Sequence, residues 1–467
     1  MGQLTVQAFR SLHEVHRLGA QLDALNLASR RPCPFSTLEY LEAFLAFDEY
    51  GTKEREVLFL TASEAGRLVG YLPLRKHVVR ELGVVPYHRI GVLVSHDTDR
   101  PHVVARAEDE GRCAQAFWDW LLQHEHGWSL VELSLQDSES ALYDVPRHDP
   151  FRFWARRFPN MPISRLVLDP AWAGVPDYLM GALDSHQRKT LNRSVRRTLD
   201  AGRAELVSCS DPAGRRELLE LYLGIERRSW KHAAKAGISR DERRVAFFRA
   251  LCDERQPAPL TVQLVMLDDL PISGVVTATF GGVLHGLEMC FDQDYEELGC
   301  GHLAALAAFR QALRTGVREV NLNGNYGYNK SRFGCAPTET WAVQVYKVGS
   351  PPWLRAQAGL LRAWLRKPPA ADQAHFNPER RAHEQHVGAR PAHTVERAQV
   401  RATLALLEAR GVRLERLAGA DLEAEFSPTK GRPHERAAAA GVDRDADVQP
   451  KRHHRSRDPQ HPGAALR

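Results

Sequence analysis

Hydrophobic and polar positions alternate in short runs along two stretches of the chain, and each set of runs gives way to an apolar stripe at helical spacing. In the later stretch, residues 261–267 alternate as a strand, Asp268-Asp269-Leu270-Pro271 turns the chain, and residues 272–280 return, rich in Val and Thr. Gly281-Gly282 supplies a tight turn into a third strand over 283–291. A helix is predicted over 302–314, with Leu303, Leu306, Phe309 and Leu313 on one face. Gly316 ends it, and residues 318–323 form a further strand. The order is strand, strand, strand, helix, strand.

The earlier stretch repeats that order without visible sequence identity. Residues 57–61 read as a strand, Glu64-Ala65-Gly66 as a turn, and 68–79 as a longer strand. A strand at 88–95, a helix at 104–124 and a strand at 128–135 follow. Between the two stretches lies a helical insertion, about 184–255. One of its helices, near 184–202, carries Arg188, Lys189, Arg193, Arg196 and Arg197 around Leu191, Val195 and Leu199. The fold class expected is α/β (α+β): two mixed, mostly antiparallel sheets flanked by helices, divided as 1–160 and 161–367.

Composition changes the picture at the C-terminal end. Residues 368–467 hold many Arg, Ala, Pro and His and only two aromatics, Phe376 and Phe426. Such a segment offers too little apolar area to offset chain entropy, so a mostly disordered tail is expected, with a short helix within 395–417. No run of about 18 apolar residues predicts a membrane span, and the start lacks the apolar core of a secretory signal. The net charge of +5 is small for 467 residues and does not by itself imply nucleic-acid binding. Seven scattered cysteines without a C-x-x-C pair point to free thiols in the cytoplasm, and no metal site is expected.

Two junctions carry candidate chemistry. In Glu296-Glu297-Leu298-Gly299-Cys300-Gly301-His302 a strand is followed by glycines and then by a helix start. Unpaired N–H groups at a helix start, approached through glycines, make an anion cradle, so Gly299, Cys300, Gly301 and His302 are the candidate cofactor-binding residues. The second junction, 321–334, is dense in Asn, Tyr and Gly and carries Lys330 and Arg332. Lys330 could stabilise a developing oxyanion, and Tyr326 or Tyr328 could donate a proton.

With their element order, these stretches resemble the acyl-CoA N-acyltransferase (GNAT) superfamily, whose phosphate loop is written Gln/Arg-x-x-Gly-x-Gly/Ala; here Glu296 stands first. The chain is most similar to the FemAB-related, CelD-type branch, which has two such folds in tandem. The marks are the basic helix, Arg228-Ser229-Trp230-Lys231, Phe291-Asp292, and Lys330-Ser331-Arg332-Phe333-Gly334, with Asn329 where the family usually has Tyr. The resemblance implies an N-acyltransferase that moves an acyl group from acyl-CoA, such as acetyl-CoA, to an amine acceptor, in envelope or exopolysaccharide building. Asp292 is expected as base, Lys330 as oxyanion holder and Tyr328 as proton donor, while Asn325, Tyr326, Arg332 and Trp230 are expected at the substrate. The alternatives are a FemAB-type transfer with aminoacyl-tRNA as partner, and a binding protein that kept the fold without the reaction.

Overall fold

A computed structural model describes residues 3–47, 55–80, 85–95, 98, 100–145, 149–234, 236–324, 326–365 and 394–426. It contains two eight-stranded mixed sheets flanked by helices, each built around the order read from the sequence. The first holds β1 (Thr5–Phe9), β2 (Arg55–Glu64), β3 (Arg67–Val79), β4 (Tyr87–Val92), β5 (Val104–Ala105), β6 (Leu130–Gln136) and β7 (Phe153–Pro159). The second holds β8 (Ile163–Val167), β9 (Ala204–Cys209), β10 (Leu260–Leu267), β11 (Leu270–Phe280), β12 (Val283–Phe291), β13 (Glu319–Gly324) and β14 (Ala336–Thr338). Two later strands, β15 (Trp341–Lys347) and β16 (Leu414–Ala418), complete them.

The first sheet runs β1-β2-β3-β4-β6-β15-β7, with β5 on β3, and the second runs β14-β8-β13-β12-β11-β10-β9-β16. In each, one hairpin-linked strand meets the strand after the helix in parallel: β4 with β6, and β12 with β13. The connecting helices are α1 (Glu110–Gln123) in the first half and, in the second, a helix at Cys300–Arg314. Leu303, Leu306 and Phe309 of the latter are buried against the second sheet, as its apolar spacing requires.

Four details depart from the sequence reading. The helix expected over 104–124 starts at Glu110, because Val104 and Ala105 pair with β3 as a short strand. The insertion is not purely helical: between α2 (Ser185–Asp200) and α3 (Pro212–Arg227), β9 bonds to β10 and extends the second sheet. A cut at residue 160 does not separate the sheets, since β15 lies between β6 and β7 of the first. Within the stretch read as tail, α4 (Thr394–Ala409), β16 and a helix at Gly419–Phe426 pack on the second sheet. Val400, Leu404, Leu407, Leu422 and Phe426 are buried there, so a few apolar residues at the right spacing outweigh an otherwise polar composition. The rest of that stretch, 368–393 and 427–467, lies outside the described residues.

Candidate active site

The site begins with a fault in strand pairing. β12 and β13 are partners only from Val283–His285 to Glu319–Asn321, and then they separate. On its other side β12 slips against β11, so that Thr277 faces Gly286 while Val276 faces Glu288, leaving Leu287 as the extra residue of a bulge. β13 is irregular against β8 between Asn321 and Gly324, where Asn323 takes a φ of 64°. Bulges bend a strand and end its pairing. Between the parted strands lies a cavity of about 590 Å³.

The helix start expected to cradle an anion faces this cavity. Gly299 has a φ of 69°, and a Cβ there would stand 2.6 Å from the Ser194 hydroxyl, so only glycine fits. Gly301 is tight against Phe291, at 3.3 Å from a built Cβ. Gly299, Gly301 and His302 line the cavity. Cys300 points the other way: it is buried, its thiol sits 3.8 Å from the carbonyls of Ile272 and Tyr295, and burial pushes its pKa up to about 12. A thiol so held is packing, not a nucleophile.

His302 and Arg332 form one unit. The Arg332 guanidinium has only donors, so it must donate to His302 Nε2, 3.2 Å away. The ring hydrogen is then on Nδ1, which donates to Ser194 Oγ at 2.8 Å, and Ser194 donates to the Thr190 carbonyl at 3.2 Å. Burial, with the Arg332 charge added, lowers the His302 pKa to about 4, so the imidazole is neutral near pH 7. The basic helix α2 is thereby tied to the cavity through Ser194, and again through Gln187, which donates to the Ser331 carbonyl at 2.8 Å.

Two expected catalytic groups hold the scaffold. Asp292 does not line the cavity. It is 1% exposed, accepts from Arg228 Nε at 2.6 Å, and caps the short 3-10 helix Gln293–Leu298 by accepting from the Asp294 amide at 3.1 Å. The carboxylate expected as base thus caps the turn that follows the strand. Lys330 does line the cavity, but its ammonium donates to the carbonyls of Leu322 at 2.6 Å, Asn323 at 3.4 Å and Gly324. It clamps the irregular end of β13, and its hydrogens are committed to the backbone.

Trp230 lines the cavity as expected, whereas Tyr326 packs against the core beneath the second sheet and does not line it. Asn325 lies outside the described residues; Tyr328 opens a four-residue helical turn, Tyr328–Ser331.

Sequence reading missed a charged cluster in the cavity wall. Glu288, the residue after the bulge, is ion-paired with Lys231 and, at 2.9 Å, with the fully buried Arg244. Burial opposes ionisation of Glu288, but the two cations outweigh it and hold the carboxyl below its ordinary range. Burial likewise works against the Lys231 charge, and Glu288 reverses the balance so that its pKa is raised. Lys231 and Glu288 both face the cavity. Among the described residues Glu288 is the ammonium's side-chain partner, so two of its three hydrogens remain for a ligand. The signal was Lys231 beside Trp230 and one Glu in a strand that is apolar but for His285.

A parted parallel pair, a glycine-lined helix start and a charged wall now stand together. Residues 185–330 match the acetyltransferase (GNAT) domain family. That match covers α2 through β13, which supply most of the cavity lining, and leaves outside it the first sheet, whose Leu135 also lines the cavity. No curated protein matches the chain. Similar solved structures include FemX (11% identity over 75% of this chain and 99% of that one, TM-score 0.49). Another is a tandem GNAT protein from the clavulanic acid biosynthesis pathway (15% identity, 74% and 99% covered, TM-score 0.38). A third is a conserved protein of unknown function from Bacteroides thetaiotaomicron (12% identity, 73% and 100% covered, TM-score 0.44). Among the described residues, no group of His, Cys, Asp and Glu is arranged to hold a metal ion.

Proposed function

We propose that the chain is an N-acyltransferase that moves an acyl group from acyl-CoA to an amine acceptor. The observation that carries this reading is the glycine-lined helix start opening onto the same cavity as Lys231 and Glu288. In this reading the donor's pyrophosphate rests at the helix start on the Cys300 and Gly301 amides, those of Gly299 and His302 being bonded to the carbonyls of Glu296 and Gly299, with Arg332 beside it. The amine nitrogen attacks the thioester carbonyl, the C–S bond breaks, and the thiolate leaves as a thiol. Lys231 stabilises the carbonyl oxygen as it gains charge, and Glu288 faces the acceptor nitrogen and receives its proton. Tyr328 is retained as proton donor to the leaving thiolate, and Lys330 becomes a positioning residue. The cytoplasm, where acyl-CoA is made, is the proposed compartment. The proposed division is two GNAT-like units that part near residue 160, with β15 returning to the first and residues 394–426 added to the second, and the similarity to the FemAB-related, CelD-type branch supports an acceptor from envelope or exopolysaccharide building.

Titration calorimetry with acetyl-CoA and longer acyl-CoAs tests it. Binding of one of them, lost in Gly301→Val with the fold retained, is the expected result. A second reading, aminoacyl-tRNA as donor, is favoured by the exposed row His186, Lys189, Arg193 and Arg196 on α2. Binding of aminoacyl-tRNA with none of acyl-CoA would overturn the first reading in favour of the second.

A further inference from the structure

One helix of the chain is only half attached. The 15-residue helix Pro351–Leu365 follows β15; its first turn packs Trp353 and Ala356 against Tyr87, Leu130 and Tyr346. Beyond that turn the contact ends, and every residue from 358 to 362 is exposed. The exposed part is not polar. Leu354 and Leu361, seven residues apart and so on one face, are both more than half exposed, and Leu360 extends that face. Arg355 and Arg362, also seven apart, run along its flank.

The patch continues onto the edge of the first sheet. Val348 donates its amide to the Arg152 carbonyl at 3.0 Å, which places the turn before β7 beside the start of the helix. In that turn Phe151 is 88% exposed, and Val348 is also exposed. Asp149 there accepts from the Phe151 amide at 2.9 Å.

Charge decides what such a surface meets. From Lys347 to Ala371 the sequence contains Lys347, Arg355, Arg362, Arg366 and Lys367 and no Asp or Glu. A second copy of the same face would set cations against cations. A helix that exposes Leu354, Leu360 and Leu361, with arginine alone as its charge, fits the boundary of an anionic bilayer, where acyl chains take the leucines and headgroup phosphates meet Arg362. Its length, about 22 Å, is too short to cross, and among the described residues no helix is long and apolar enough to do so. We propose that Pro351–Leu365, with Phe151 beside it, docks this protein peripherally on an anionic lipid surface. The proposal is independent of the acyl-transfer reading, since none of these residues lines the cavity.

Co-sedimentation of the full chain with vesicles tests it. Vesicles of phosphatidylglycerol and phosphatidylcholine should carry down the protein, phosphatidylcholine alone should carry at least about tenfold less, and salt should release it. Leu360→Asp/Leu361→Asp should lower partitioning about tenfold or more with an unchanged melting temperature, because both side chains already face solvent. Arg362→Glu should weaken binding to the anionic vesicles alone. Equal binding to both vesicle types, no binding to either, or a dimer in light scattering that the Asp pair dissolves would each overturn the proposal.

Discussion

The two sheets share their central plan and differ where one of them opens. In the first, β4 keeps an unbroken register with β3 from Tyr87 to Val92; in the second, β12 carries the bulge at Leu287. Both parallel partners kink afterwards at a non-glycine residue of positive φ, Leu135 in β6 and Asn323 in β13. The kinks are held differently. Gln136 donates to the carbonyls of Ser134 and Pro101, whereas β13 is held by the charged Lys330. The helix starts differ most. α1 opens with Asp109 and Glu110, both buried, and Arg112 answers Asp109 at 3.1 Å, so carboxylates occupy the positive end of that helix. The second helix opens with Gly299, Cys300 and Gly301 and has no acidic residue in its first turn. The lesson is that one inserted strand residue and a helix start without carboxylates are enough to set two sheets of the same plan apart.

That contrast can be broken at its glycine. Gly299→Val would force a left-handed backbone on a branched residue and drive its side chain into Ser194, and should cost about 3–4 kcal/mol of stability and all donor binding. A melting curve and calorimetry with acetyl-CoA check it. Glu110→Gln in α1 should leave donor affinity unchanged. The next largest effect is on turnover: Lys231→Ala should lower it by about 10²–10³ with little change in donor affinity, because the loss falls on the developing oxyanion. A parent-like rate would remove Lys231 from the chemistry.

Lys330→Met sharpens the comparison of the two kinks. It leaves carbonyls of Leu322 and Gly324 without their donor and should cost about 1–3 kcal/mol, seen as a lower melting temperature. An effect of similar size falls on pH dependence. His302 titrates near 4 in the folded chain against an ordinary 6.5, so between those values the unfolded chain binds more protons. Stability therefore falls as pH drops from 6.5 toward 4, by up to about 3 kcal/mol from this residue, and His302→Gln should flatten that part of the curve. Denaturant melts at pH 4.5 and 7 measure it.

The central strands and the glycine-lined helix start were legible because alternation, turn residues and glycines are local signals. Partners distant in sequence were not. Nothing near Trp341 says that it will pair with Gln136 and Pro159 in the other half's sheet, and nothing near Leu414 says that it will extend β9. The site shows the same limit: Lys330 and Asp292 were found as polar residues at strand ends, but whether such a group meets a ligand or the backbone depends on a loop closing over it. Glu288 escaped notice because its two cations come from segments some 44 and 57 residues away.

The position of β15 also sets a timetable for the newly made chain. A ribosome releases the chain from its N-terminus, so Pro159 exists long before Trp341, the residue it pairs with. At 5–20 residues per second the wait is roughly 10–40 s. Until then β6 and β7 have no strand between them, and each shows an open row of amides and carbonyls to the crowded surroundings. Birth of this protein is thus its most hazardous moment, and a chaperone that shields strand edges during synthesis should raise its yield more than one that acts after release.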